Sequence, residues 1–203
     1  MASRIILVRH GETDWNKEKR IQGGSSDTPL NETGREQAEG LARRLSHDRI
    51  RAIYSSPLRR SLDTARVIAR YHKLEVLLEP SLKEIEAGAL EGVFTGSLHK
   101  RLSQLLTAGT GSDALPNAPG GESLADVQRR AWGTIQRLAR KHPDGLVVVS
   151  HYFVILSIIC SVLELPLSQL GRFRMENGSI SIINLDGQEA WLERYNDAGY
   201  PVE

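Results

Sequence analysis

The chain is short of several residue types that usually announce chemistry. Among its 203 residues there is one cysteine, Cys160. A single thiol excludes a disulfide framework within the chain and argues against a cysteine-based zinc site. Lying in the apolar run 154–163, Cys160 reads as a small core hydrophobe. Excess charge is lacking too: the formal net charge is +1, so no bulk field draws the chain to nucleic acid or to a membrane surface. The longest apolar stretch, near 153–167, is too short and too interrupted to span a bilayer. A basic-then-apolar leader with a cleavage site is missing at the N-terminus, so the default expectation is a cytoplasmic protein.

What is present is the make-up of a soluble globular domain, with 40% hydrophobic and 25% charged residues. That is enough to bury a core without metal or disulfide. The run Ile5-Ile6-Leu7-Val8 predicts a strand buried on both faces. Helical spacing of Ala38, Leu41, Ala42 and Leu45 predicts a helix over 33–45. Further strands are expected at 52–55, 76–78 and 146–149, and further helices over 61–71, 124–140 and around 154–163. The 124–140 helix has Ser123 or Glu122 near its start as a cap. Segments 179–184 and 190–195 are expected to pair around Asp186-Gly187 as a closing hairpin. Alternating strands and helices imply an α/β fold, a three-layer α/β/α sandwich with a mostly parallel central sheet. Residues 1–203 read as a single domain, with a lid-like insertion at about 93–121 that combines a helical excursion with a Gly- and Pro-containing loop.

Three segments sit where such a sheet holds its ligands, beyond the carboxyl ends of strands. Arg9-His10-Gly11-Glu12-Thr13 follows the first strand, Ser55-Ser56-Pro57-Leu58-Arg59-Arg60 the second, and Ser150-His151 the valine-rich strand. Two have a plain alternative: a histidine after a strand, as His151 is, is commonly a structural hydrogen-bonder, and an arginine pair at a helix start is commonly a solvated face. Arg9-His10-Gly11 differs, being an unusual combination at the exit of a buried strand. Together they place guanidinium donors and two histidines at one rim. A guanidinium fork matches phosphate oxygens, and imidazole is a competent nucleophile toward phosphorus. Nearby arginines disfavour imidazolium and keep the attacking nitrogen unprotonated. The start of the helix after His151 adds backbone amides and a favourable dipole for an anion. This set suits a phosphoryl group without a metal, and no cofactor is called for.

From Arg9-His10-Gly11-Glu12 through Asn16, the sequence resembles the histidine phosphatase superfamily, also called phosphoglycerate mutase-like. The resemblance continues in order along nearly the whole chain. It takes in Ile21-Gln22-Gly23, the stretch from Asp27 to Ala38, Tyr54 to Ser61, Leu82 to Gly92, Gly120-Gly121-Glu122-Ser123 and Val149-Ser150-His151. It implies that His10 is the residue phosphorylated, that Arg9 and Arg60 hold the phosphate, and that His151 binds the phosphoryl oxygens and stabilises the transition state. It implies that Glu84 is the general acid that protonates the leaving alkoxide and then the base that activates water, a role suited to a carboxyl shifted by partial burial. Asn16, Gln22 and Gly23 either line the pocket or order its loop. Arg59 reads as a surface neighbour, Glu86 as solvent-facing and Glu91 as structural. One departure is visible: where the family commonly has glycine after Ser-His, this chain has Tyr152, whose amide can still donate to phosphate but whose side chain must find room in the pocket floor.

The net reaction implied is hydrolysis of a small phosphorylated metabolite. The alternative is a cofactor-dependent phosphoglycerate mutase, which shares the first half-reaction but passes the phosphoryl group to a second substrate hydroxyl. The short span between Gly92 and Gly120 and the Gly-Gly-Glu-Ser motif favour the phosphatase branch. A non-catalytic phospho-ligand binder is the third reading, disfavoured because His10, Glu84 and His151 are all in place. His99, Lys100 and Arg101 either meet a second anionic group or form a solvated helix face. The resemblance also admits a homodimer.

Overall fold

A computed structural model describes residues 2–95, 120–187 and 189–199. The body of the insertion expected at 93–121, with His99, Lys100 and Arg101, lies outside the described residues.

Six strands form one sheet: β1 (Ser3–Arg9), β2 (Ala52–Ser55), β3 (Val76–Leu78), β4 (Leu146–Ser150), β5 (Ile180–Asp186) and β6 (Glu189–Asp197). Their order across the sheet is β3-β2-β4-β1-β5-β6. The first four run parallel, whereas β5 and β6 are antiparallel to their neighbours. The expected hairpin is therefore real, closed at Gly187 with φ +61. Its position could not be read from its own residues, for β5 lies directly against β1 in the middle of the sheet.

Among the described residues the helices are α1 (Asp14–Lys17), α2 (Glu32–Leu45), α3 (Arg59–His72), α4 (Leu124–Lys141) and α5 (Tyr152–Val162). Pleating splits the apolar runs between two helical layers. Ile5, Leu7 and Val148 point into one core with α4 and α5. Ile6, Val8, Val147 and Val149 point into the other with α2 and α3. This is the three-layer α/β/α sandwich that the patterning implies. Among the described residues no helix is long and apolar enough to cross a membrane.

Local chemistry sets the boundaries. Asn31 starts α2 by accepting from the Gly34 amide at 2.8 Å, and Ser123 starts α4 by accepting from Asp126 at 3.0 Å. Of the two caps expected for α4, Ser123 is the one used. Thr13 and Asn16 form a reciprocal capping box on α1, a four-residue helix too short to show as periodicity.

Candidate active site

Register brings the candidate residues together. On the adjacent parallel strands β1 and β4, Arg9 pairs with Ser150, so His10 and His151 leave the sheet side by side. Their ring centroids are 5.1 Å apart. On the other side of β4, Ser55 pairs with Val149, which carries Ser56 and the start of α3 to the same rim. Arg60, in the first turn of α3, reaches His151 from there. Five of the expected residues, Arg9, His10, Arg60, Glu84 and His151, thus meet at the carboxyl ends of three strands and one loop.

The hydrogen bonds of His10 assign its tautomer. Nδ1 lies 2.7 Å from the Gly11 carbonyl, which can only accept. Nδ1 therefore carries the proton and Nε2 keeps its lone pair. Burial, then the Arg60 and Arg9 charges, hold the His10 pKa well below the ordinary histidine range. The result is a neutral imidazole with a free nucleophilic nitrogen.

Arg60 is fully buried. Its Nη1 donates to the Ser26 carbonyl at 2.7 Å, Nη2 to the Gly23 carbonyl at 3.0 Å, and Nε to His151 Nδ1 at 3.3 Å. A guanidinium has five N–H groups, so donors remain for an anion. Burial lowers its pKa to about 10, which leaves it charged at neutral pH. Arg9 donates from Nη1 to the Met175 carbonyl, while its buried Nε has no partner among the described residues. Gln22 Nε2 is likewise buried and unpartnered. Buried donors without acceptors are costly unless something accepts from them, and donors beside a positively charged site suit an anion.

His151 is more enclosed than the resemblance implies. Because Arg60 can only donate, His151 Nδ1 is the accepting nitrogen, and Nε2–H donates to Ser56 Oγ at 2.8 Å, with Ser61 Oγ at 3.3 Å. Burial, then Arg60, hold His151 neutral as well. Both its nitrogens are occupied by protein groups.

Glu84 lies in the irregular segment between the 3-10 turns Pro80–Leu82 and Gly88–Leu90. Its carboxyl is buried and accepts from the backbone amides of Ile85 at 2.8 Å and Phe153 at 3.2 Å. Burial raises its pKa, against the opposing pull of those amides and of Arg60 and Arg9. Beside the same two arginines, the carboxyl of Glu84 is thus shifted toward holding a proton and the imidazole of His10 toward its neutral form.

The remaining candidates are placed around this centre. Asn16 Oδ1 accepts from the Thr13 amide at 3.1 Å, and the Thr13 hydroxyl lies 3.1 Å from Gln22 Oε1, so both side chains are tied to the loop that carries His10. Gly23 has no room for a side chain: a Cβ would stand 2.4 Å from Glu91 Oε2 and 2.8 Å from the Ile85 carbonyl. Its amide donates to Glu91 Oε1 at 2.9 Å. Glu91 is structural in this sense, whereas Glu86, partly exposed, accepts from Ser25 Oγ at 2.7 Å and Lys83 Nζ at 3.0 Å. The Arg59 side chain is 62% exposed and pairs with Asp63 at 3.6 Å. The Tyr152 side chain finds its room beside Arg9, whose guanidinium carbon lies 5.1 Å from the ring centroid, and its hydroxyl donates to the Phe173 carbonyl at 3.1 Å. Its ring therefore backs Arg9, and its hydroxyl is already engaged.

Two contributors, the Asn177-Gly178 pair and Met175, escape a reading by motif. Asn177 Nδ2 donates to the His10 carbonyl at 3.2 Å and to Asn16 Oδ1 at 3.1 Å, and Gly178 N donates to the same His10 carbonyl at 3.0 Å. The Met175 carbonyl anchors Arg9. Both precede β5. Because β5 runs antiparallel to β1, its beginning rather than its end lies at the rim. Sequence could have flagged Asn177-Gly178 as a turn before a strand, but not which end of the sheet that turn occupies.

The model of the histidine phosphatase superfamily (branch 1) matches residues 5–198. Phosphoserine phosphatase 1 of Hydrogenobacter thermophilus is 35% identical over 194 residues, covering 95% of this chain and 92% of that protein. The probable phosphoglycerate mutase GpmB of Cronobacter sakazakii is 35% identical over 204 residues, covering 98% and 91%. Among solved structures, a variant of Entamoeba histolytica phosphoserine phosphatase in complex with phosphoserine superposes with a TM-score of 0.85 at 30% identity, covering 97% and 98%. With the family spanning almost the whole chain, this protein belongs to branch 1 of the histidine phosphatase superfamily and is a phosphatase.

Proposed function

We propose that the chain hydrolyses phosphomonoesters of small metabolites through a phosphohistidine on His10, with Glu84 moving the proton in both half-reactions. The observation that carries this reading is the opposed protonation of the pair: His10 presents a lone pair at Nε2 while buried Glu84 retains a proton more readily than an ordinary carboxyl.

In the first step Nε2 attacks phosphorus, the bond from phosphorus to the ester oxygen breaks, and Glu84 gives its proton to the departing oxygen. Arg9 and Arg60 supply fixed positive charge to the phosphoryl oxygens in a site already stripped of solvent, where such charge counts most. The incoming anion favours protonation of His151, which then exchanges its Nδ1 contact with Arg60 for a donated hydrogen bond to phosphate. In the second step Glu84, now ionised, takes a proton from water as it attacks the phosphohistidine. His10 leaves with its lone pair restored. Asn16, Gln22 and Gly23 shape the loop around the anion.

The relatives' names support a substrate class. Phosphoserine and phosphoglycerate are small, carboxylate-bearing alkyl phosphates, and such an ester is the proposed substrate here. The name of the Cronobacter relative favours a second reading, phosphoryl return to a hydroxyl instead of to water. Release of phosphate from p-nitrophenyl phosphate in EDTA, with wild type beside His10→Ala, tests the first. Wild type should turn over, and His10→Ala should lose at least about a thousandfold, the scale on which removed nucleophiles act. Appearance of 2-phosphoglycerate from 3-phosphoglycerate, without net phosphate release, would favour the mutase instead.

A further inference from the structure

Within the Gly120-Gly121-Glu122-Ser123 motif, Ser123 has one role, the cap of α4. Glu122 has another. Its carboxylate takes the Arg130 guanidinium in a two-pronged pair, Nε to Oε1 at 2.7 Å and Nη2 to Oε2 at 2.8 Å. The two side chains are 18% and 23% exposed, so the pair is largely shielded from water. Fork-to-fork geometry of this kind fixes a guanidinium in direction as well as in position.

The orientation so fixed turns the rest of Arg130 onto the segment that carries Glu84. Nη1 donates to the Ser81 carbonyl at 2.7 Å, and Nη2 lies 3.4 Å from the Glu84 carbonyl. On the far side of Glu84, the Glu122 amide donates to the Glu86 carbonyl at 2.8 Å, and the Glu86 amide lies 3.5 Å from Glu122 Oε2. The segment is thus tied to the start of α4 on both flanks of the acid. It has no regular secondary structure to hold it between Leu82 and Gly88. Among the described residues the Glu84 carboxyl itself accepts hydrogen bonds from the Ile85 and Phe153 amides, one of which belongs to the same segment. Where its proton sits relative to the ester oxygen is therefore decided by the backbone that Arg130 grips.

We propose that Arg130, clamped by Glu122, is a positioning residue for the general acid Glu84 and serves the proton transfer rather than the phosphate. This rests on the reading of Glu84 as the acid. Displacements of about 1 Å in a reacting group cost up to about a hundredfold in rate. The cost falls only on substrates whose leaving group needs the proton. A lysine at position 130 keeps the charge but not the fork, and so separates geometry from electrostatics.

The test uses p-nitrophenyl, phenyl and p-methoxyphenyl phosphate, substrates of similar size with leaving groups of increasing basicity. kcat/KM reports the steps through phenol release. Arg130→Lys and Glu122→Gln should each lose about tenfold or more on p-methoxyphenyl phosphate and less than about threefold on p-nitrophenyl phosphate. In a Glu84→Gln background, Arg130→Lys should add nothing further on any ester, since two residues acting through one step are not additive. An equal loss on all three esters, or full additivity with Glu84→Gln, overturns the proposal and leaves the clamp a purely structural tie. Glu84→Gln alone separates the two readings. If it is indifferent to the leaving group, the acid role falls and positioning falls with it. If it is sensitive while the clamp variants are not, only the positioning is wrong. Glu122→Gln keeps the side-chain volume, so the comparison survives should Arg130→Lys fold poorly.

Discussion

Two buried side chains at the rim carry their protons against habit, and each owes this to a different neighbour. Around His10 the arginines reinforce what burial does, so that its neutral form persists into acid. Around Glu84 burial and the arginines oppose each other, and burial prevails. Environments that drive two groups apart in this way support the proposed division into nucleophile and acid. A stability consequence follows for Glu84. Its raised pKa means that the folded state binds the proton more tightly than the unfolded one. Its contribution is therefore complete below the ordinary value of 4.5 and is lost as pH rises through the folded value. Glu84→Gln, which cannot ionise, should gain thermal stability relative to wild type as pH is raised from about 4 to 8, while losing activity. A constant difference in melting temperature across that range would refute the shift. The same variant should lose the alkaline limb of kcat/KM if that limb reports deprotonation of Glu84.

At the scale of elements, the loop that carries His10 is set by how closely α2 approaches it. Gly11 and Gly34 face each other with no room for a side chain on either: a Cβ on Gly34 would stand 2.1 Å from the Glu12 carbonyl, and one on Gly11 would stand 2.3 Å from the Gly34 carbonyl. Both obstructions are backbone, so relief requires the loop itself to move. Gly34→Ala should destabilise the protein by about 1–3 kcal/mol in urea unfolding, the usual cost of overpacking. It should also depress turnover, because the backbone that shifts is the one that aims His10. Retention of full activity would show that the loop is positioned chiefly from its other side, by Asn177 and Asn16. The helices and strands themselves were legible within a residue or two, since their apolar runs carry the period of each element. The short α1 and the 3-10 turns were not, because side-chain caps rather than periodicity define them.

The whole molecule inherits an acid sensitivity from its site. His10 and His151 are both held neutral, first by burial and then by Arg60. An unfolded chain would protonate them below their ordinary value of 6.5, so the unfolded state binds more protons there and stability falls as pH falls. Each histidine contributes a slope of at most about 1.4 kcal/mol per pH unit. Above 4.5, until pH passes its raised folded value, Glu84 acts with the opposite sign, but one carboxyl stands against two imidazoles. Unfolding free energy should therefore decline from pH 7.5 to 5.5, with a shallower slope in His10→Ala. Equal slopes in the two proteins would argue that His10 takes up its proton without unfolding.

By itself the sequence determined the layer architecture and the longer strands and helices, and it singled out five residues that the fold brings to one rim. Apolar period, chain order and three short motifs are local properties, and parallel strands leave their carboxyl ends on a common rim. Only the tertiary structure decided how that rim is completed. The antiparallel β5 brings the residues before it, Asn177 and Met175, to His10 and Arg9 across more than 160 positions of chain. The enclosure of His151 by Arg60, Ser56 and Ser61, and the grip of Arg130 on the Glu84 segment, are likewise contacts between distant elements. Which donor meets which acceptor depends on register and packing, and no residue carries that information alone.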